Sequence, residues 1–105
     1  IIGFPRGAGT ALARYVAEVP VDAVGLDWMI DKDYARDRIQ SHRPVQGNLD
    51  PIALLAGGEA LDRAVDATLE AFARGPFIFN LGHGILPDTP VEHVERLIAR
   101  VRQGR

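Results

Sequence analysis

Two hydrophobic periods alternate along this chain, and their alternation leaves few folds open. Near-continuous apolar runs at residues 1–4, 23–28, 44–48 and 76–81 are separated by segments whose apolar residues recur every three or four positions. The first pattern suits strands covered on both faces, the second suits helices with one apolar stripe. Strand and helix taken in turn mean parallel pairing, because a helical crossover returns the chain to the sheet in the same direction. The fold class is therefore α/β, built from about four βα units. Right-handed crossovers leave two architectures: an open doubly wound sheet, or an arc of a (β/α)8 TIM barrel, which needs about 250 residues when complete.

The helices are legible from caps and stripes. Thr10 is placed to cap a helix that carries Leu12, Tyr15, Val16 and Val19 on one face and ends before Pro20. Asp31 heads a charge-rich helix with Tyr34, Ala35 and Ile39 inward, and Asp50 followed by Pro51 is a cap with proline at the first helical position. The Asp50 helix stops near Gly57 and Gly58. A longer helix over 59–74 puts Leu61, Val65, Leu69 and Phe72 on one stripe before Gly75 and Pro76 close it. Thr89, Pro90 and Glu92 spell a capping box ahead of Val91, Val94, Leu97, Ile98 and Val101. No linker or shift in composition divides the chain, so residues 1–105 read as a single segment.

Of 105 residues, 47% are hydrophobic and 25% charged, the balance of a folded domain. Twelve basic residues against fourteen acidic ones leave a net charge of −2, and the charges are scattered. The footprint of a nucleic-acid or membrane-surface binder is missing. There is no Cys, which excludes disulfides, thiolate metal sites and a cysteine nucleophile within this segment and makes a reducing cytoplasm the default compartment. No apolar run approaches the roughly 18 residues of a membrane span. The chain opens at Ile1 inside an apolar run with no Met, as a piece of something longer does.

In both architectures, function collects where strands hand over to helices. Four loops lie there: residues 5–9, 27–28, 47–50 and 82–84. Glycine in such loops leaves backbone N–H groups open to an anion, although tight turns use it equally well. His83, between two glycines, has an imidazole able to donate to a substrate oxygen; the alternative is a histidine braced against a neighbouring loop. Arg6 at the end of the first strand offers a bidentate fork to a carboxylate, or to an Asp or Glu nearby. Asp27 and Asp50 fit acid–base work, but capping and loop bracing are the commoner uses of such residues. Asn48 and Asn80 read as loop braces, Trp28 and Met29 as packing, and His42 and His93 as solvated surface. His83 with Asp88 or Glu92 lacks the helix-locked spacing of a metal site.

The first strand, Gly7-Ala8-Gly9, a helix and a second strand ending in Asp27 also fit the outline of a nucleotide-binding α/β module. The details diverge: the third glycine position is Leu12, and Pro5 and Arg6 lengthen the turn.

Four strings in succession carry a specific resemblance: GFPRGAG at 3–9, VGLDW at 24–28, VQGNLDP at 45–51 and FNLGHGILPDTP at 79–90. In order and spacing they resemble the C-terminal portion of the bacterial uroporphyrinogen decarboxylase family. That resemblance implies the C-terminal half, about four βα units, of a (β/α)8 TIM barrel. It implies a carboxy-lyase, usually homodimeric and cytoplasmic, that takes CO2 from the four acetate side chains of uroporphyrinogen to give coproporphyrinogen, without cofactor or metal. His83 matches the histidine of the family's NLGHG motif and would act as a catalytic and substrate-binding residue. Arg6 matches a basic position and would bind substrate. The family's Asp, Arg and Tyr elements belong to its N-terminal half, so the isolated segment is expected to be inactive. Methyltransferases of the same barrel superfamily bind zinc through Cys and His, and the absence of Cys here argues against them.

Overall fold

A computed structural model describes residues 1–103. Four strands, β1 (Ile2–Gly3), β2 (Ala23–Gly25), β3 (Val45–Leu49) and β4 (Phe77–Leu81), form one parallel sheet in the order β1-β2-β3-β4. The connections carry α1 (Leu12–Glu18), α2 (Lys32–Ala35), α3 (Pro51–Ala56) and α4 (Gly58–Ala71), and α5 (Val91–Gln103) follows β4. Each strand lies beside its successor. A doubly wound sheet places its ligand where the order reverses, and no reversal occurs among the described strands; successive parallel strands are what part of a barrel supplies.

Register aligns Val24 with Val45 and Val45 with Phe77, and these side chains join Leu12, Val16, Ile39 and Phe72 in one core cluster. A second cluster gathers Leu49, Leu54, Leu61 and Val65 beneath α5. All of this packing lies on the helix-bearing side. On the other side Ile2, Phe4 and Ile78 remain 46–48% exposed, and β4 alternates between half-buried and exposed residues. This corrects the expectation of strands covered on both faces, since helices cover only one.

Local signals held where a short polar side chain could reach the next turn. Asp31 accepts a hydrogen bond from the Tyr34 amide (3.0 Å) and Asp50 from the Ile52 amide (2.9 Å), with Pro51 opening α3. Two others failed. Thr10 sits inside a 3₁₀ turn (Gly9–Ala11), and α1 starts without a side-chain cap. The Thr89 box does not close: α5 begins at Val91, and the buried Thr89 hydroxyl has no partner among the described residues. Beyond Ala35 the helix widens into a π turn (Arg36–Gln40) that the sequence did not signal, and the Gln40 side chain donates to the Phe72 carbonyl (3.0 Å) and the Pro76 carbonyl (3.3 Å).

Helix α5 is docked by Val94, Leu97 and Val101 and by two arginine forks. Arg96 donates to both carboxylate oxygens of Asp62 (3.0 and 2.7 Å), and Arg100 does the same to Asp66 (2.8 and 2.6 Å). Those hydrogen bonds hold both carboxyls below the ordinary 3.8. Because the folded values lie below the unfolded one, the contribution is complete above that ordinary value and disappears as pH falls through the lowered folded values. Hydrogen exchange in residues 91–103, corrected for intrinsic rates, is expected to accelerate as pH falls below the ordinary carboxylate value and through the lowered folded ones, and to be steady above it. The Arg96→Ala/Arg100→Ala variant should lack that step; an unchanged step would assign it elsewhere.

Candidate functional site

At the C-terminal ends of the strands a cleft of about 310 Å³ opens between Arg6, Asp27, Trp28, Met29, Asp50, Ile52, His83 and Leu86. All four loops singled out in the sequence therefore converge, and both predicted site residues, Arg6 and His83, line the same opening. His83 also borders a second hollow, about 510 Å³, over the uncovered face of the sheet, with Phe4, Gln46 and Asn80. It stands at the junction of the rim and the sheet surface.

Each loop is shaped by its own residues. The segment carrying Arg6 turns on Ala8 N–H donating to the Pro5 carbonyl (3.3 Å). Among the described residues the Arg6 side chain makes no ion pair, so its fork remains open to the cleft. Asp27, 4% exposed, accepts from the Gly7 amide through Oδ2 (2.7 Å) and from the Met29 amide through Oδ1 (2.9 Å). Loop bracing is thus its observed use. Asn48 is fully buried and donates through Nδ2 to the carbonyls of Asp27 (3.3 Å) and Ile30 (3.0 Å). Asn80 is exposed and accepts from the neighbouring Leu81 amide, a local bond only.

His83 is exposed and makes no hydrogen bond among the described residues, so the braced-histidine alternative is not what the structure contains. Gly82 before it is buried, and a Cβ there would collide with the Trp28 backbone nitrogen and lie 2.6 Å from the Trp28 Cα. Only glycine lets the His83 loop approach the Trp28 loop so closely.

Trp28 and Met29 depart from the expectation of packing: they are 41% and 62% exposed and form an apolar lip on the cleft together with Ile52. Their signal was position, since residues that follow the buried run leaving the C-terminal end of β2 stand at the mouth of the loops. His93 departs the other way. It is half-buried, donates through Nδ1 to the Leu54 carbonyl (2.8 Å) and fills the space beside Gly57, where a Cβ would lie 2.6 Å from its Nε2. It braces α5 against α3. His42 is exposed beside Arg43, as expected, and does not line this cleft. Among the described residues no three His, Asp or Glu side chains come together as a metal site requires.

The model of the family described as uroporphyrinogen decarboxylase (URO-D) matches residues 1–104. The chain belongs to the uroporphyrinogen decarboxylase family. Curated relatives bearing that name are 61% identical over 104 residues in Sphingopyxis alaskensis, 60% over 102 in Rhizorhabdus wittichii and 54% over 105 in a Chelativorans species. These alignments cover 99%, 97% and 100% of this chain, which spans about 30% of the length of each relative. The strand-end cleft therefore belongs to a segment of a uroporphyrinogen decarboxylase-family protein, with about 70% of the relatives' length lying outside it. No described helix is long and apolar enough to cross a membrane.

Proposed function

We propose that this chain is the C-terminal portion, about four βα units within residues 1–105, of a (β/α)8 barrel that decarboxylates uroporphyrinogen to coproporphyrinogen. The observation that carries the reading is the family match over residues 1–104, at about 30% of the relatives' length. The chemistry of the cleft supports it. A substrate with eight carboxylates around an apolar macrocycle calls for a cation fork, a neutral or cationic donor and an apolar wall, and Arg6, His83 and the Trp28–Met29 lip have those characters. In this reading Arg6 binds a substrate carboxylate, and His83 binds a carboxylate or polarises the reacting group. Decarboxylation breaks the C–CO2 bond, its electron pair passing into a pyrrole already protonated on the ring; the exocyclic methylene so formed then takes up a proton to become the methyl group as the ring gives up its own. The groups that stabilise that cation lie outside this segment, so the segment alone does not turn over. The enzyme works in the cytoplasm as a homodimer, with neither cofactor nor metal.

Co-expression tests the proposal. The segment is produced alone and together with the complementary part of the Sphingopyxis alaskensis relative, and conversion is followed by porphyrin fluorescence after oxidation. The expected result is turnover in the mixture and none in the segment alone. A soluble, folded complex without turnover would overturn the decarboxylase reading, and turnover by the segment alone would overturn the assignment of essential groups to the remainder.

A further inference from the structure

The loop at residues 27–30 touches every other part of the cleft. Beneath it, Asn48 Nδ2 holds the carbonyls of Asp27 and Ile30. To one side the Asp27 carboxylate holds the Gly7 amide, next to Arg6, at 2.7 Å. To the other side Gly82, next to His83, is packed against the Asp27–Trp28 peptide, with a space that a single methyl would overfill. Among the described residues the bond to Asp27 is the one hydrogen bond that ties residues 5–8 to another segment. One buried carboxylate thus connects the backbone beside Arg6 to the backbone that the His83 loop rests on.

We infer that Asp27 is a positioning residue that sets the separation of Arg6 and His83, so that two carboxylates of one polyanionic substrate are gripped at a fixed span. The inference deepens, and rests on, the decarboxylase reading of the same cleft. Asp27 itself is buried and both its oxygens are occupied by backbone donors, so it acts through Arg6 rather than on the substrate. Its two bonds are separable. The bond to Met29, two residues on, is a local turn that asparagine also makes, whereas the bond to Gly7 needs the second oxygen. Asp27→Asn therefore keeps the turn and places an NH2 group against the Gly7 N–H, releasing the Arg6 loop alone.

The test uses the full-length Sphingopyxis alaskensis relative with its matching 30% replaced by this sequence, bearing Asp27→Asn, Arg6→Ala or both. Asp27→Asn is expected to raise KM for uroporphyrinogen about 10-fold with little change in kcat, because a displaced binding group weakens the grip on the substrate. In the Arg6→Ala background the same change is expected to have no further effect on KM, the non-additivity that coupled residues show and an independent structural defect does not. Additive effects would overturn the inference. Hydrogen exchange of the same proteins reads the tie without activity: Asp27→Asn should accelerate exchange in residues 5–9 and leave 91–103 unchanged. Unaltered exchange in residues 5–9 overturns the inference even if the enzyme is active. Absence of turnover in the unmutated chimera, with the exchange change present, overturns the decarboxylase reading and leaves the tie standing.

Discussion

Phe72→Ala, in the full-length relative carrying this segment, is expected to lower stability by about 3–5 kcal/mol, read from the urea midpoint. Phe72 is fully buried where α4 ends, and its ring stacks on Phe77 at 4.9 Å with 26° between planes. It belongs to the cluster that β2, β3, α1 and the π turn share, so a cavity there has walls from these four segments and little freedom to collapse. The Phe72 carbonyl also receives the Gln40 amide, which fixes the chain end of α4 over the sheet. Since whole domains are stable by only about 5–15 kcal/mol, this one truncation removes a large share. Phe72→Leu retains much of the volume and is expected to cost roughly 1 kcal/mol. Equal midpoints for Phe72→Ala and the parent would show that the α4–sheet contact does not hold the segment together.

His83→Asn in the same protein is expected to reduce kcat/KM by about 100-fold or more, the scale of losing a side chain that can both take up and deliver a proton. The fold should not respond, because the imidazole is exposed and takes no hydrogen bond among the described residues. His93→Asn provides the opposite pattern. Its ring is half-buried, bonded to Leu54 and seated beside Gly57, so its replacement should cost about 1 kcal/mol of stability and leave turnover intact. Loss of stability without loss of turnover in the His83 variant would move His83 from the chemistry to the scaffold.

The contrast between these two histidines shows what the chain reveals before it folds. Strand positions were readable to within about three residues because an apolar run between helical stripes has few other uses. Asp31 and Asp50 announced their caps because a carboxylate at a helix start finds its amide within two or three residues. Convergence of Arg6, Asp27, Asp50 and His83 on one cleft followed from parallel topology alone, since every βα loop then opens at the same end of the sheet. What stayed hidden depends on distant neighbours. His93 looked solvated on its own helix, and only the approach of α3 encloses it. Thr10 and Thr89 had the right residue type for caps, but a 3₁₀ turn and a later helix start take the amides away. The bare side of the sheet could not be inferred from near-continuous apolar strands, because those residues are apolar whether or not this segment itself covers them.

The seam between α4 and α5 can be regarded as a graduated scale. Asp62 and Asp66 are spaced by one helical turn, as are Arg96 and Arg100, so the marks on the two helices coincide at one setting. A slide of about 5.4 Å, one full turn, preserves a single coincidence and strands one charge on each helix, while a half-turn slide preserves none. Sliding is thereby restricted to discrete steps, each with its own count of matched marks. Val94, Leu97 and Val101 supply the adhesion between the helices, and the arginines supply the measure of where along α4 that adhesion is allowed to settle.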